Sequence, residues 1–216
     1  CQKILRIKSK EMTKHILFFL LYSCLVFPQK TTLRSGDLLF QKMNCGELCD
    51  AIHAVTEGYQ GNDFSHLGLV VIENDSIFII EAAGNAVRKV TLEQFSKNTQ
   101  TTMFIGRVKS KYQKLIPQVI SFAKQQIGIP YDDDYLYDNG KYYCSELIYD
   151  AFLKAYGKPF FELQPMTFKQ PESKAFFPAW VEYYQNIKVE IPEGELGCNP
   201  GGISTSDKIK IVGKLN

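Results

Sequence analysis

The sequence predicts a single α+β domain in which an antiparallel sheet packs against helices. Two apolar, β-branched runs around a short polar turn indicate antiparallel strands. Three further stretches carry apolar residues at helical spacing, which indicates amphipathic helices. No internal repeat, low-complexity tract or linker divides the 216-residue chain, and its 45% hydrophobic content is typical of a globular protein.

The first strand and the first helix are predicted in residues 33–55. A Gly-Asp turn in "LRSGDLLFQ" leads into a short apolar strand. Asn44 is the predicted N-cap of the helix that follows, with Glu47 three residues later in the position of a capping box. The apolar stripe of this helix consists of Cys45, Leu48, Cys49, Ile52 and Val55.

A β-hairpin is predicted next, with "FSHLGLVVI" and "SIFIIEAAG" on either side of an Asn-Asp turn. If the two turn residues form the loop, His66 faces Ala83 and Gly68 faces Glu81. His66 and Glu81 then project from the same face of the hairpin, one diagonal step apart and within side-chain reach. Gly68 has no side chain to block a carboxylate that leans toward the imidazole.

The second half of the chain contains further strands and helices. "VRKVTLEQF" predicts a strand and a helical turn, and "TMFIGRV" predicts another strand. One helix is predicted in "IPQVISFAKQQIG", with Pro117 near its start and Gly128 as its C-cap, and another in "CSELIYDAFLKAYG", which Gly157 closes. "IPYDDDYLYDNGKYY" between them is a predicted loop. The remainder is rich in proline and aromatic residues, with a Gly/Pro loop, "EGELGCNPGGIS", and a late strand, "KIKIV".

Residues 1–27 have the pattern of an export leader, which leaves 28–216 as the folded domain. A basic tip precedes the 12-residue apolar run "ILFFLLYSCLVF", and Met12 is the predicted start. The run is too short to span a bilayer. "LYSC", ending at Cys24, is similar to a bacterial lipobox, although Tyr22 replaces the usual small residue; the alternative is a cleaved signal without a lipid. Under both interpretations we expect an exported protein of the cell envelope or periplasm, with membrane association only through Cys24.

The charge distribution gives no indication of nucleic-acid binding. The formal net charge is +2, but residues 1–23 carry five basic residues and one acidic residue. The rest of the chain has 20 basic and 22 acidic residues, without a basic block. Because a nearly neutral domain lacks the electrostatic surface by which proteins bind nucleic acids, we expect no nucleic-acid partner.

We expect no metal and no cofactor. Cys45 and Cys49 are four residues apart on the predicted helix, a spacing that suits a disulfide poorly, so we expect both to pack in the core. Only His53 lies near them, and a structural zinc site needs four ligands. The run Asp132–Asp134 lacks the ligand spacing and central glycine of a calcium loop, and we interpret it as a solvated loop.

The hairpin contains a candidate acid–base pair. Of the three histidines, His15 lies in the leader, and His53 lies inside the first helix, where a surface or packed histidine is the ordinary interpretation. His66 opens an apolar strand. A carboxylate in an apolar strand, such as that of Glu81, is costly unless it is paired, and His66 is its nearest candidate partner.

Cys144, in "KYYCSELIY", lies where the last predicted helix begins. The unsatisfied N–H groups and the positive dipole end of a helix favour the nucleophilic thiolate, and the same N–H groups can stabilise an oxyanion. An imidazole that takes the thiol proton, oriented by a carboxylate, completes an activated nucleophile. The alternative is that Cys144 is a small buried core residue and His66 a satisfied polar group.

Four motifs in this order, "SGDLLF", "FSHLGLVVI", "EAAG" and "YYCSELIY", resemble the circularly permuted branch of the NlpC-like papain-fold peptidases and amidases, the YiiX-like group. In the unpermuted relatives the cysteine helix precedes the histidine strand. The resemblance covers about residues 33–157, and the "PGGIS" tail more loosely. It implies a permuted papain-like fold with Cys144 as nucleophile, His66 as general base and Glu81 as the orienting residue.

These motifs lead to the hypothesis of an exported thiol hydrolase that cleaves an amide bond through an acyl-enzyme. The expected substrate is a small amide or peptide, with a peptidoglycan fragment as the natural candidate in a cell envelope. The candidates for lining the cleft, or for donating a hydrogen bond to the oxyanion, are Tyr143, Tyr131 and Ser145. Of the two tyrosines, we expect one to have only a packing role.

Two alternatives stay open. Similar permuted folds resemble acyltransferases and phospholipases, so acyl or lipid chemistry is the first alternative. An apolar groove beside Cys144, rather than polar groups placed for peptide termini, would favour it. The second alternative is a non-catalytic ligand-binding module, and the presence of Cys144, His66 and Glu81 argues against it.

Overall fold

The computed structural model describes residues 32–99 and 101–215, which contain a six-stranded antiparallel sheet with helices packed on it. The predicted leader, residues 1–27 with Cys24, and the domain boundary at residue 28 lie outside the described residues. No helix in the described ranges is long and apolar enough to cross a membrane.

Eight strands and six helices make up the described part of the chain. The strands are β1 (Leu38–Gln41), β2 (His66–Glu73), β3 (Ser76–Ala83), β4 (Ala86–Thr91), β5 (Met103–Val108), β6 (Gln164–Pro165), β7 (Leu196–Gly197) and β8 (Ile209–Leu215). The helices are α1 (Glu47–Val55), α2 (Leu92–Ser96), α3 (Ile116–Gln125), α4 (Cys144–Tyr156), α5 (Pro178–Ile187) and α6 (Pro200–Thr205), with 3-10 turns at Tyr59–Gly61 and Ser110–Leu115.

The main sheet has the strand order β4-β3-β2-β1-β5-β8, and β6 pairs separately with β7. All neighbouring strands of the main sheet are antiparallel. The β2–β3 hairpin has the predicted register, with Glu73 opposite Ser76. Asn74 and Asp75 both have the positive φ that a two-residue type I′ turn requires. The predicted hairpin is therefore confirmed.

Helix α4 packs on one face of the sheet. Because side chains alternate across a strand, Leu67 and Leu69 of β2 enter the core shared with α4. His66 and Val70 project to the other face, where α2 contributes Phe95. The side chain of His66, the first residue of β2, therefore lies on the face of the sheet that α2 covers.

Two predicted helix ends are wrong. Helix α1 begins at Glu47, after Gly46 with a φ of 69°, and Asn44 does not cap it. Helix α3 ends at Gln125, and its C-cap is Gln126 rather than Gly128. The predicted closure of α4 is confirmed, because Gly157 follows it in the left-handed conformation.

Cys45 and Cys49 form a disulfide, so the prediction of two separately packed cysteines is wrong. That prediction places both residues on one helix. The turn at Gly46 instead leaves Cys45 outside α1 and exposed, with 5.2 Å between the two Cα atoms. Disulfides readily span this distance.

The segment that follows α4 contains more regular structure than its composition suggests. Helix α5 lies in the aromatic stretch, and α6 lies inside the predicted Gly/Pro loop. The Asn199 side chain accepts a hydrogen bond from the Gly202 N–H at 2.7 Å, and Pro200 occupies the first turn. An Asn-Pro pair is a helix-start signal, which the high glycine content of this stretch conceals.

Candidate active site

His66 and Glu81 are hydrogen-bonded inside the protein. Glu81 Oε2 lies 2.5 Å from His66 Nε2, and both side chains are buried. The pair follows from the hairpin register, which places the two residues on the same face. Since a carboxylate only accepts hydrogen bonds, His66 Nε2 carries the proton. The other ring nitrogen, Nδ1, is therefore the one available to take a proton from a thiol.

Arg88 is a second partner of Glu81, and it is not predicted from the sequence. Its Nε and Nη2 atoms lie 2.9 Å and 2.8 Å from Glu81 Oε1, and the two residues are opposite each other on β4 and β3. Burial opposes ionisation of Glu81, but the contacts with His66 and Arg88 outweigh it and lower the pKa of the carboxyl group. The two-residue turn Gly84-Asn85 is the signal that predicts this pair, because it fixes the β3–β4 register.

Cys144 is the first residue of α4. Tyr143 precedes it in an extended conformation, and no side chain caps the start of the helix. The first N–H groups of α4 are therefore available to a ligand. The Cys144 Sγ atom lies 4.0 Å from the carbonyl oxygen of Ser65, the residue before His66. Helix α4 thus brings the thiol to the end of β2 at which the imidazole is held.

The imidazole of His66 interacts with both the thiol and the carboxylate. Burial alone disfavours the charged ring, but the hydrogen bonds with Cys144 and Glu81 outweigh burial and raise the pKa of His66 to about 9. The environment therefore stabilises a protonated imidazole. This is the form that pairs with a cysteine thiolate.

The hydroxyl groups of Ser145 and Tyr143 are engaged by the segment around Cys198. Ser145 donates to the Cys198 carbonyl oxygen at 2.9 Å. The buried Tyr143 hydroxyl accepts a hydrogen bond from the Cys198 N–H at 3.2 Å. Both residues border the cavity beside Cys144, but their hydroxyl groups tie α4 to its neighbouring segment.

Tyr131 borders the same cavity as Cys144. Its hydroxyl oxygen is 3.3 Å from that of Tyr135. Burial, together with Tyr135 and Cys144, raises the pKa of Tyr131 well above its ordinary value. The phenol therefore stays protonated at neutral pH and can donate a hydrogen bond. Of the two tyrosines, Tyr131 fits an oxyanion donor better than Tyr143.

The cavity beside Cys144 has a mainly apolar and aromatic lining. Its volume is about 180 Å³, and it adjoins a more polar cavity of about 530 Å³ that shares Gly197 and Cys198 with it. Much of the apolar wall comes from the segment after α4, whose role the sequence leaves open. The apolar lining includes Ile52, Val55, Tyr135, Met166, Phe168 and Trp180.

No group of three His, Cys, Asp or Glu side chains in residues 32–99 and 101–215 is arranged to hold a metal ion. The prediction that Asp132 is solvated is wrong, because its side chain is buried. Its carboxylate accepts hydrogen bonds from the N–H groups of Asp134 and Leu136 and from the Asn139 amide. Asp132 therefore shapes the loop before α4.

Residues 32–213 match the model of a protein family described as permuted papain-like amidase enzyme, YaeF/YiiX, C92 family. The chain belongs to this family. Among its relatives is the uncharacterized protein YiiX of Escherichia coli K12, which is 27% identical over 189 residues, or 84% of this chain and 86% of the relative. A crystal structure described as metalloprotein YiiX of Escherichia coli O157:H7 has a TM-score of 0.69 at 23% identity, and the match covers 84% of this chain and 97% of that chain.

Membership in the permuted papain-like amidase family confirms the resemblance inferred from the four motifs, and with it the α+β fold class. The family consists of papain-like amidases, so it supports thiol hydrolysis in general. The permuted order also fits this chain, since the strand that carries His66 comes before the helix that carries Cys144.

Proposed function

We propose that the protein is an exported thiol amidase with Cys144 as nucleophile, His66 as general base and Glu81 as orienting carboxylate. The observation that carries the proposal is the buried His66–Glu81 hydrogen bond at the end of β2, beside which the Cys144 thiol lies. A nucleophile, a base and a group that orients the base are the parts that acyl transfer requires.

The proposed reaction starts from an ion pair in which the Cys144 thiol has given its proton to His66 Nδ1, while Glu81 holds the proton on Nε2. The thiolate attacks the amide carbonyl carbon, and the oxyanion accepts hydrogen bonds from the N–H groups at the start of α4 and from the Tyr131 hydroxyl. Protonated His66 then donates its proton to the amine as the C–N bond breaks, which leaves a thioester. Water, deprotonated by His66, hydrolyses the thioester to release the acid and the thiol.

No step of this mechanism uses a metal. The Escherichia coli O157:H7 neighbour is described as a metalloprotein. The described residues of this chain do not provide the cluster of donor side chains that such a site would need.

The test is mass spectrometry of peptidoglycan fragments and N-acyl amino acids after incubation with the purified protein. The wild type should release an acid and an amine, and Cys144→Ala should lower the rate by about 10³-fold or more. His66→Gln should cause a comparable loss, and His53→Gln, at the other described histidine, is its matched control. If Cys144 also reacts with iodoacetamide no faster than a free thiol at neutral pH, the proposal fails and a binding module remains.

Export and a cell-wall peptide substrate belong to the same proposal. The support for export is the basic tip, the short apolar run and the lipobox-like "LYSC". Expression of the full chain in a bacterium, followed by fractionation and mass spectrometry of its N-terminus, tests this part. A mature chain that starts at a lipid-modified Cys24 supports anchoring, and a cytoplasmic chain with an intact leader contradicts export.

Acyl or lipid chemistry is a second candidate, and the apolar cavity beside Cys144 favours it. Part of its wall is formed by Met166, Phe168 and Trp180. These side chains can contact an acyl chain, but they give the charged termini of a peptide no partner of opposite charge. Matched N-acyl and O-acyl substrates of increasing chain length discriminate the two. If kcat/KM rises with chain length for the wild type and this rise is lost in Trp180→Ala, acyl recognition is supported. A preference for free peptide termini supports the peptidase.

A further inference from the structure

Gln41 carries a buried amide beside His66. It is the last residue of β1 and lies directly opposite His66 in the β1–β2 register. Its side chain is 0% exposed, and neither its Nε2 nor its Oε1 atom has a hydrogen-bond partner among the described residues. Directly opposed residues on antiparallel strands have Cβ atoms roughly 5 Å apart. The Gln41 side chain therefore starts beside that of His66 on the same face of the sheet.

An unpaired amide is unexpected at this position. The side chain shares a face of the sheet with Leu39 of the same strand, which belongs to an apolar layer that also contains Phe95 and Met103. An apolar residue of similar size would suit that layer, since a buried amide without a partner destabilises the native state. Unsatisfied buried groups are rare in native proteins, and departures from local packing rules concentrate at functional sites.

Groups from four elements act on His66, directly or through Glu81, and none of these elements is β1. Glu81 of β3 holds Nε2, Cys144 of α4 interacts with the ring, and Arg88 of β4 acts through Glu81. Helix α2 contributes only an aromatic ring, that of Phe95, whose centroid is 5.6 Å from that of the imidazole. On the side toward β1 the ring is next to the strand position of Gln41, whose amide dipole can stabilise a positive charge on the buried ring.

We propose that Gln41 is a positioning residue for His66, whose amide dipole stabilises the imidazolium and restrains the ring from the β1 side. The inference rests on the proposed function, since it assumes that His66 alternates between neutral and charged forms. It also gives a reason for a buried amide at this position, because a dipole can stabilise a nearby charge without a direct hydrogen bond to it. A solely structural Gln41 would have a partner.

The test uses the full chain and three variants. Gln41→Met removes the amide at nearly constant volume, Gln41→Asn keeps an amide, and Leu39→Met is a control two residues away on the same face. The pH dependence of Cys144 alkylation by iodoacetamide and the midpoint of urea unfolding are measured for each. Gln41→Met should lower the pKa of His66, so the limb of the alkylation profile on which the ring loses its proton should shift downward by roughly 0.5 pH unit, or about threefold in rate on that limb. The variant should unfold at an equal or higher urea concentration.

Gln41→Asn should keep most of the wild-type profile, and Leu39→Met should leave the profile unchanged. An unshifted profile in Gln41→Met overturns the inference, and so does a large loss of stability, which would reveal a structural partner of the amide. A shift of equal size in Leu39→Met overturns it as well, since packing alone would then be the cause. If wild-type Cys144 is not activated at all, the proposed function fails and this inference with it; an activated wild type with an unshifted Gln41→Met rejects the inference alone.

Discussion

Arg88 and Glu81 are paired across β4 and β3 with 2.8 Å between Nη2 and Oε1, and the other oxygen of the same carboxylate holds His66. The Arg88 side chain is 45% exposed, whereas those of Glu81 and His66 are buried. A cation at the surface therefore supports a buried carboxylate, and through it the orientation of the imidazole. The row from solvent to thiol is Arg88, Glu81, His66 and Cys144.

Arg88→Met should lower kcat by about three- to tenfold, because the exposed guanidinium is partly screened by solvent. Loss of the cation removes one of the contacts that lower the pKa of Glu81. The loss of kcat should therefore grow toward acidic pH, where a less stabilised carboxylate begins to take up a proton. A kcat profile from pH 5 to pH 8 measures it. Lys89→Met, which removes a cation paired with Glu73, is the control, and equal effects of the two changes would refute the role of Arg88.

Glu81→Gln should lower kcat by roughly 10²-fold, because its amide oxygen can still accept from Nε2 but the amide has no negative charge to stabilise the imidazolium. The pKa of His66, raised to about 9 by Cys144 and Glu81 against burial, should fall in this variant. Titration of the His66 ring signals by NMR, beside single-turnover kinetics, checks both effects. Glu73→Gln serves as the matched control. A Glu81→Gln enzyme within tenfold of the wild type would mean that the carboxylate does not orient the base.

The sequence predicts the His66–Glu81 pair because a two-residue turn and strand alternation are local rules. It also predicts the start of α4 at Cys144 and the closure by Gly157, since both depend on nearby residues. The pairing of Arg88 with Glu81 follows from the same two local rules in the next hairpin, β3–β4. By contrast, the apolar wall that includes Trp180 depends on how α5 packs against distant segments, and a helical or strand period does not encode that packing.

Gly68 leaves space for neighbouring side chains, but not for the one that the sequence suggests. The sequence suggests that the missing side chain makes room for the Glu81 carboxylate. In the structure a Cβ atom on Gly68 would lie 2.3 Å from Ile79 Cγ2 and 2.9 Å from Phe95 Cε2. The glycine therefore leaves room for Ile79 of the same hairpin and for Phe95 of α2, and the second of these is a contact that the hairpin alone does not predict.

Gly68→Ala should destabilise the protein by about 1–3 kcal/mol, because an added methyl group overpacks this layer. Chemical unfolding with urea measures the change. The double variant Gly68→Ala with Phe95→Leu should recover part of the loss, since the smaller side chain vacates the contact. An unchanged unfolding midpoint in the single variant would show that Phe95 and Ile79 move aside freely.

The Cys45–Cys49 disulfide should contribute up to about 2 kcal/mol, because the loop that it closes is short. The Cys45→Ser variant should have a lower Tm than the wild type, and a reducing agent should lower the Tm of the wild type by a similar amount. The reducing agent should leave the Tm of the variant unchanged. Calorimetry with and without reductant measures both. A wild type whose Tm is insensitive to complete reduction, verified by counting free thiols, would contradict a stabilising role. The bond joins Cys45 to the first turn of α1, and neither cysteine borders the cavity, so KM should change little.

Glu146 is buried in the first turn of α4, two residues after Cys144. Its Oε1 atom accepts a hydrogen bond from the Asp138 N–H at 3.0 Å, and its Oε2 atom has no partner in the described ranges. Burial raises the pKa of Glu146 to about 8 against the opposing effect of the Asp138 hydrogen bond, and nearby Asp132 adds to the rise. The native protein therefore holds this carboxyl group protonated at neutral pH.

Glu146→Gln should become progressively more stable than the wild type as the pH rises from 5 to 8. A glutamate in the unfolded chain loses its proton near pH 4.5, and in the native state near pH 8. Between these values the native state binds more protons, so wild-type stability falls as the pH rises. The glutamine keeps an acceptor for Asp138 and does not ionise, so the gain at pH 8 should reach a few kcal/mol. Urea unfolding at both pH values measures the gain, with the exposed Glu162→Gln as control. A variant less stable than the wild type at pH 8 would mean that the native state uses the ionised carboxylate, because the loss of its charge would then cost stability.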